Sequence, residues 1–166
     1  MKYHKVTPRE IWDKNRLLIV AAVTIIILFF PTGFAHELGH ILVCASNGYD
    51  YVFSFGDLAF NVRCYASPQP IMLYFALGGI FGMAASASLF LSKRIRTNSG
   101  IFIGVSVTAF DHFLKAIFET FTHSAYLSNW SLSVYMSVLV VSFMISLLMF
   151  FSIREKRKHS SELESN

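Results

Sequence analysis

The stretch LLIVAAVTIIILFFPTGFAHELGHILVCAS, residues 17–46, decides how the rest of the chain is read. From Leu17 to Phe30 it is almost unbroken apolar sequence rich in Ile and Val. As one helix its thirty residues cover about 45 Å, more than the roughly 30 Å hydrocarbon core of a bilayer. Tilt, a kink or a projecting end must absorb the excess, and Pro31, with Gly33 close behind, is the expected kink site. Near its end lies its one dense polar cluster, His36-Glu37-Leu38-Gly39-His40. On a helix the two histidines are one turn apart on the same face, so two imidazole nitrogens can meet one metal ion, normally zinc. Glu37 stands beside the first ligand, where its carboxylate can take a proton from a zinc-activated water. The plain alternative is a helix end whose histidines only reach the interface. Against it, an acidic side chain in a spanning helix costs about 2.5–3.5 kcal/mol on insertion scales, and such residues mark function.

Composition supports a membrane setting. The chain has 166 residues, is 54% hydrophobic and only 14% charged, with a mean hydropathy of +0.52. Soluble domains carry about 25% charged residues. The net charge of +4 is no nucleic-acid footprint, because the basic residues flank the apolar segments. Cys44 and Cys64 are too few for a disulfide scaffold, though one bridge can form. The first run is too long for a signal peptide, and three more apolar segments follow it.

The expected fold is an all-α polytopic membrane protein with about four transmembrane helices, at about 17–46, 71–92, 100–121 and 132–153, and a short β-hairpin after the first. Residues 1–16 read as a basic tail with a surface helix after Pro8, 17–153 as one membrane-embedded domain, and 154–166 as a disordered tail. Asn47-Gly48 ends the first helix. Tyr51–Phe55 and Leu58–Tyr65 then read as two strands around Gly56-Asp57, or as a plain surface loop. As a hairpin, they can present an edge to an extended peptide. In the second span Gly78, Gly82 and Ser86 recur every fourth residue, and in the third Gly100, Gly104 and Thr108 do the same. These are close-packing seams. The amino tail carries five Lys/Arg, the 93–99 loop three and the carboxyl tail four, against Arg63 alone in the 47–70 loop and none in 122–131. That asymmetry predicts a multi-pass protein with both termini cytoplasmic.

A catalytic zinc site needs about three protein ligands and an open position. Asp111 is the expected third ligand, an anionic donor in mid-span, with an intrahelical ion pair to Lys115 as its structural alternative. Glu119 is its rival because, counted along the helices, it lies nearer the depth of His36 and His40. His112 is a further candidate and Cys44 a weaker one.

With these residues in hand, the chain resembles the site-2 protease family of intramembrane zinc metalloproteases. The resemblance covers roughly residues 17–122. Its elements are the apolar segment ending in His36-Glu37-Leu38-Gly39-His40, the β-like insertion, Leu77-Gly78-Gly79, and a third helix with an intramembrane Asp. It implies peptide-bond hydrolysis in the membrane, with Zn2+ held by His36, His40 and a third-helix Asp, here Asp111, and Glu37 as general base. The substrates would be membrane-spanning proteins or peptides, met within the lipid bilayer. The family's Gly-Pro is here Gly78-Gly79, and its Leu-Asp-Gly is replaced by Ala109-Phe110-Asp111-His112. Two other readings stay open. One is a non-catalytic metal-binding membrane protein, such as a sensor, a degenerate protease or an assembly subunit. The other is a transport subunit with Asp111, His112, Lys115 and Glu119 as a polar path. The oligomeric state is open.

Overall fold

The computed structural model of the chain describes residues 8–56, 59–126, 137, 139–148 and 151. Its elements are helix α1 (Pro8–Ser46), strands β1 (Tyr51–Gly56) and β2 (Ala59–Cys64), helix α2 (Ile71–Ser88), a 3-10 turn (Leu89–Leu91), a short helix α3 (Lys93–Thr97) and helix α4 (Ser99–Tyr126). Among the described residues three helices are long and apolar enough to cross a membrane: Asn15–Ser46, Ile71–Leu91 and Ser99–Phe121. These correspond to the first three expected spans. Of the region expected as a fourth, 132–153, ten of its 22 residues lie outside the described residues. Its described part includes a shorter apolar helix, Leu139–Leu148. Residues 1–7 of the tail expected at 1–16, and the tail expected at 154–166, also lie outside them.

Helix α1 begins inside the expected tail, so the surface helix and the first span merge into one. It continues through Pro31, whose missing N–H removes one bond of the helix ladder on an exposed face. The helix stops where the sequence predicts. Gly48 takes a left-handed φ of 71°, and the Gly48 and Tyr49 amides donate to the carbonyls of Ala45 and Cys44 at 3.0 Å each. Glycine takes this conformation at little cost, which is why it ends helices.

Helix α4 is the central one: 56% of its apolar stretch is buried, against 11% for α1 and 22% for α2. The glycine seams set how the three helices meet. A Cβ on Gly100 would strike Val20, and one on Gly104 would strike Thr24 and the Ala21 carbonyl. The contacts advance together, so α1 and α4 run in the same direction. A Cβ on Gly79 would meet Ala116, and one on Gly82 the His112 ring. Here α2 ascends as α4 descends, so those two are antiparallel. Ile103, Val107 and Ala21 form the buried core beneath the site, covered by Leu17, Ile25, Phe143 and Leu147.

The expected hairpin forms. Strands β1 and β2 pair antiparallel, with Tyr51 opposite Cys64, Phe53 opposite Val62 and Phe55 opposite Phe60. Phe53, Phe55 and Phe60 pack against Phe30 and Phe34 of α1 at centroid separations of 5.8–6.3 Å. The hairpin is also tied to α1 covalently, by a disulfide between Cys44 and Cys64 with a Cα–Cα distance of 5.8 Å.

Candidate metal centre

The metal-site candidate is built where α1, α2 and α4 meet. His36 and His40 are each 7% exposed and project one turn apart from α1 toward the bundle interior. His36, Glu37 and His40 each offer a ligand atom within 4.8 Å of the others. The approach of α2 is allowed by two glycines. Gly39 lies against the Leu77 carbonyl and the Gly78 amide, and a Cβ on Gly78 would fall on the Nε2 atoms of both histidines. Gly78 therefore lines the space in front of the imidazoles, and any larger residue would fill it.

Helix α4 brings a third group. Glu119, 8% exposed, points Oε2 at the histidines, 3.4 Å from His36 Nε2 and 3.9 Å from His40 Nε2. The two Nε2 atoms are 3.1 Å apart. Donor atoms held 2.0–2.1 Å from a tetrahedral zinc lie about 3.3–3.4 Å from one another. The three edges of this triangle, 3.1, 3.4 and 3.9 Å, bracket that value. Glu119 Oε2 is buried with no hydrogen-bond partner among the described residues. A buried carboxylate oxygen without a donor is costly, and a cation between it and the two nitrogens removes the cost. The three donor atoms are placed to hold a metal ion.

The tautomer of His40 is set from α2. Its Nδ1 lies 2.8 Å from the Tyr74 carbonyl, which can only accept, so Nδ1 carries the proton and Nε2 presents its lone pair. Ligating histidines are usually supported in this way. The Tyr74 ring lies over the same imidazole, with centroids 4.4 Å apart, and its hydroxyl donates to the Val62 carbonyl of β2 at 3.1 Å. The Val62 amide also faces the Glu37 carboxylate. The N–H and C=O of one strand residue point to the same edge, so a single peptide edge of β2 meets both Glu37 and Tyr74.

The remaining polar residues of α4 have other partners. Asp111, expected as the third ligand, pairs with Lys115 at 2.7 Å. That is the intrahelical alternative, and it leaves Glu119 as the carboxylate that reaches the histidines. His112 stacks beside His36 with centroids 5.5 Å apart, and its buried Nδ1 has no hydrogen-bond partner among the described residues. Cys44 is in the disulfide and offers no thiolate. The row considered as a transport path is thus divided between an ion pair and the histidine cluster.

The sequence reading did not single out Tyr74 or Val62. Tyr74 was within reach of it, since it lies one turn before Gly78 on the same face of α2. Val62 acts through its backbone, which no side-chain pattern reveals. No protein-family model, curated protein or solved structure matches the chain, so the reading of the site rests on its own chemistry.

Proposed function

We propose that the chain is a zinc-dependent intramembrane endopeptidase, in which His36, His40 and Glu119 hold Zn2+ and Glu37 is the general base. The observation that carries this reading is the triangle of His36 Nε2, His40 Nε2 and Glu119 Oε2, with edges suited to one tetrahedral ion and Glu37 within 4.8 Å of the two histidines' ligand atoms. It supports Glu119 in the role that Asp111 was expected to fill. Zn2+ held by His36, His40 and Glu119 would supply Lewis acidity toward the scissile carbonyl and would lower the pKa of the attacking water to about 7. Glu37 takes the proton of the attacking water on its carboxylate and passes it to the leaving amide nitrogen. The Val62 amide faces that carboxylate.

An extended substrate segment has a ready partner in β1. Val62 turns its peptide edge toward Glu37 and Tyr74, so Phe53 opposite it, and Tyr51 and Phe55 in the same register, turn their backbone groups to the far side of the hairpin. Among the described residues no strand pairs there. A peptide unwound from a spanning helix can add to that edge by main-chain hydrogen bonds. The charge asymmetry supports a topology in which this side of the molecule faces away from the cytoplasm and both termini face it.

The test is the Glu37→Gln variant, purified with wild type and assayed on a spanning peptide substrate in liposomes. Retained zinc with cleavage reduced by at least about a hundredfold is expected, the scale of general-base catalysis. Undiminished cleavage rules the mechanism out. A metal-binding membrane protein without catalysis is the second reading, favoured by the Ala109-Phe110-Asp111-His112 sequence where the resembled family has Leu-Asp-Gly. It expects one bound zinc and no cleavage by either protein.

A further inference from the structure

The hairpin does more than cover the end of α1. It contacts the candidate site through three links that converge on β2. The Val62 amide reaches the Glu37 carboxylate. The Val62 carbonyl accepts the Tyr74 hydroxyl, and Tyr74 in turn holds His40 through its own carbonyl and its ring. Two residues further along the strand, Cys64 is bonded to Cys44, which lies one helical turn past His40. A strand that is cross-linked one turn from a ligand, and that hydrogen-bonds the residue supporting that ligand, is suited to fixing the ligand's geometry.

We propose that Tyr74 is a positioning residue of the metal centre, anchored by the β2 strand, and that the Cys44–Cys64 disulfide holds that anchor in register. The inference rests on the metal-site reading above and adds to it an element that sets the site's geometry without touching the ion. The Tyr74 hydroxyl is the diagnostic atom. Removing it leaves the carbonyl that binds His40 Nδ1 and the ring that covers the imidazole, and breaks only the link to Val62. The cross-link is the second element. A dithiol reductant gives up two electrons and two protons to it, becomes a disulfide itself, and leaves Cys44 and Cys64 as two thiols, freeing β2 from α1.

The experiment uses the full-length protein in detergent, loaded with Co2+ in place of zinc, whose visible absorption reports ligand geometry with no need of a substrate. Wild type, Tyr74→Phe and the double variant Cys44→Ser with Cys64→Ser are compared by competition against a chelator and by spectrum. Both variants are expected to bind one Co2+ about tenfold more weakly, the scale at which supporting groups tune a metal site, with a shifted visible band. Combined, they are expected to lose less than the product of the two separate losses, because they act through one strand. The cysteine variant keeps the test decisive if Tyr74→Phe does not fold. Wild-type affinity and spectrum in the folded variants overturn the positioning role while leaving the metal site standing. Failure of the wild-type protein to take up Co2+ overturns the metal-site reading and this inference with it.

Discussion

Glu119 and Asp111 lie two helical turns apart on α4, and their different partners divide the work of that helix. Glu119 Oε2 is buried against two imidazole nitrogens, whereas Asp111 Oδ2 is held by Lys115. The Glu119→Gln variant is expected to lose metal affinity by more than the about 10–100-fold that follows loss of a supporting hydrogen bond, because in the proposed site Glu119 is itself a ligand. The Asp111→Asn variant is expected to keep the metal and lose stability instead. Breaking a mostly buried ion pair costs about 3–5 kcal/mol. Chelator competition and thermal unfolding in detergent, run on both variants, separate the two effects. A loss of metal by Asp111→Asn at unchanged stability would return Asp111 to the ligand set. The sequence offered both carboxylates with sound reasons for each. The intrahelical ion pair is a local contact that residue spacing already allowed. The choice between the two carboxylates needed the register between helices, which no single segment contains.

That register is carried by glycines. Gly104 packs on Thr24, and equal advances along the two parallel helices reach Glu119 on α4 and Gly39 on α1, between the two histidines. The same count sets Asp111 level with Pro31, about 12 Å short of Glu119 along the axis. The small-residue seams were legible in the sequence because glycine and serine every fourth residue give a helix a narrow face. What each seam faces was not. Gly100 and Gly104 bring α4 against the bare middle of α1, whereas Gly78 admits the imidazoles themselves. Alanine substitutions are therefore expected to act differently at the two seams. Gly104→Ala forces Thr24 aside and lowers stability by about 1–3 kcal/mol, with metal binding retained. Gly78→Ala sets a methyl group against both Nε2 atoms and abolishes metal binding. Isothermal titration with Zn2+, together with melting curves for both variants, checks the contrast. Equal metal affinity in Gly78→Ala and wild type would mean that the ion does not sit between the imidazoles.

At the scale of the whole molecule, two features support the proposed orientation of the site. Lys and Arg are concentrated in the amino tail, the 93–99 loop and the carboxyl tail, and under the positive-inside rule the proposed topology turns those segments toward the cytoplasm. The Cys44–Cys64 disulfide lies on the opposite side, at the hairpin, and structural disulfides persist in oxidising compartments. The first three spans and the hairpin were legible because apolar run length and strand alternation are local properties of the sequence. The pairing of the cysteines was not, since it depends on β2 folding back on the end of α1. If the chain is the peptidase proposed above, the charges and the cross-link together predict that substrate reaches Glu37 from the outer half of the bilayer. Thiol labelling of intact cells tests this. In one arm, a membrane-impermeant reductant followed by an impermeant maleimide is expected to label Cys44 and Cys64 without permeabilisation. In the other, a Tyr3→Cys reporter in a Cys44→Ser, Cys64→Ser background is expected to react only after the membrane is opened. The reverse pattern would turn the hairpin and the metal centre toward the cytoplasm, where a reducing environment would not keep the disulfide, and the substrate would have to be cleaved near the inner face.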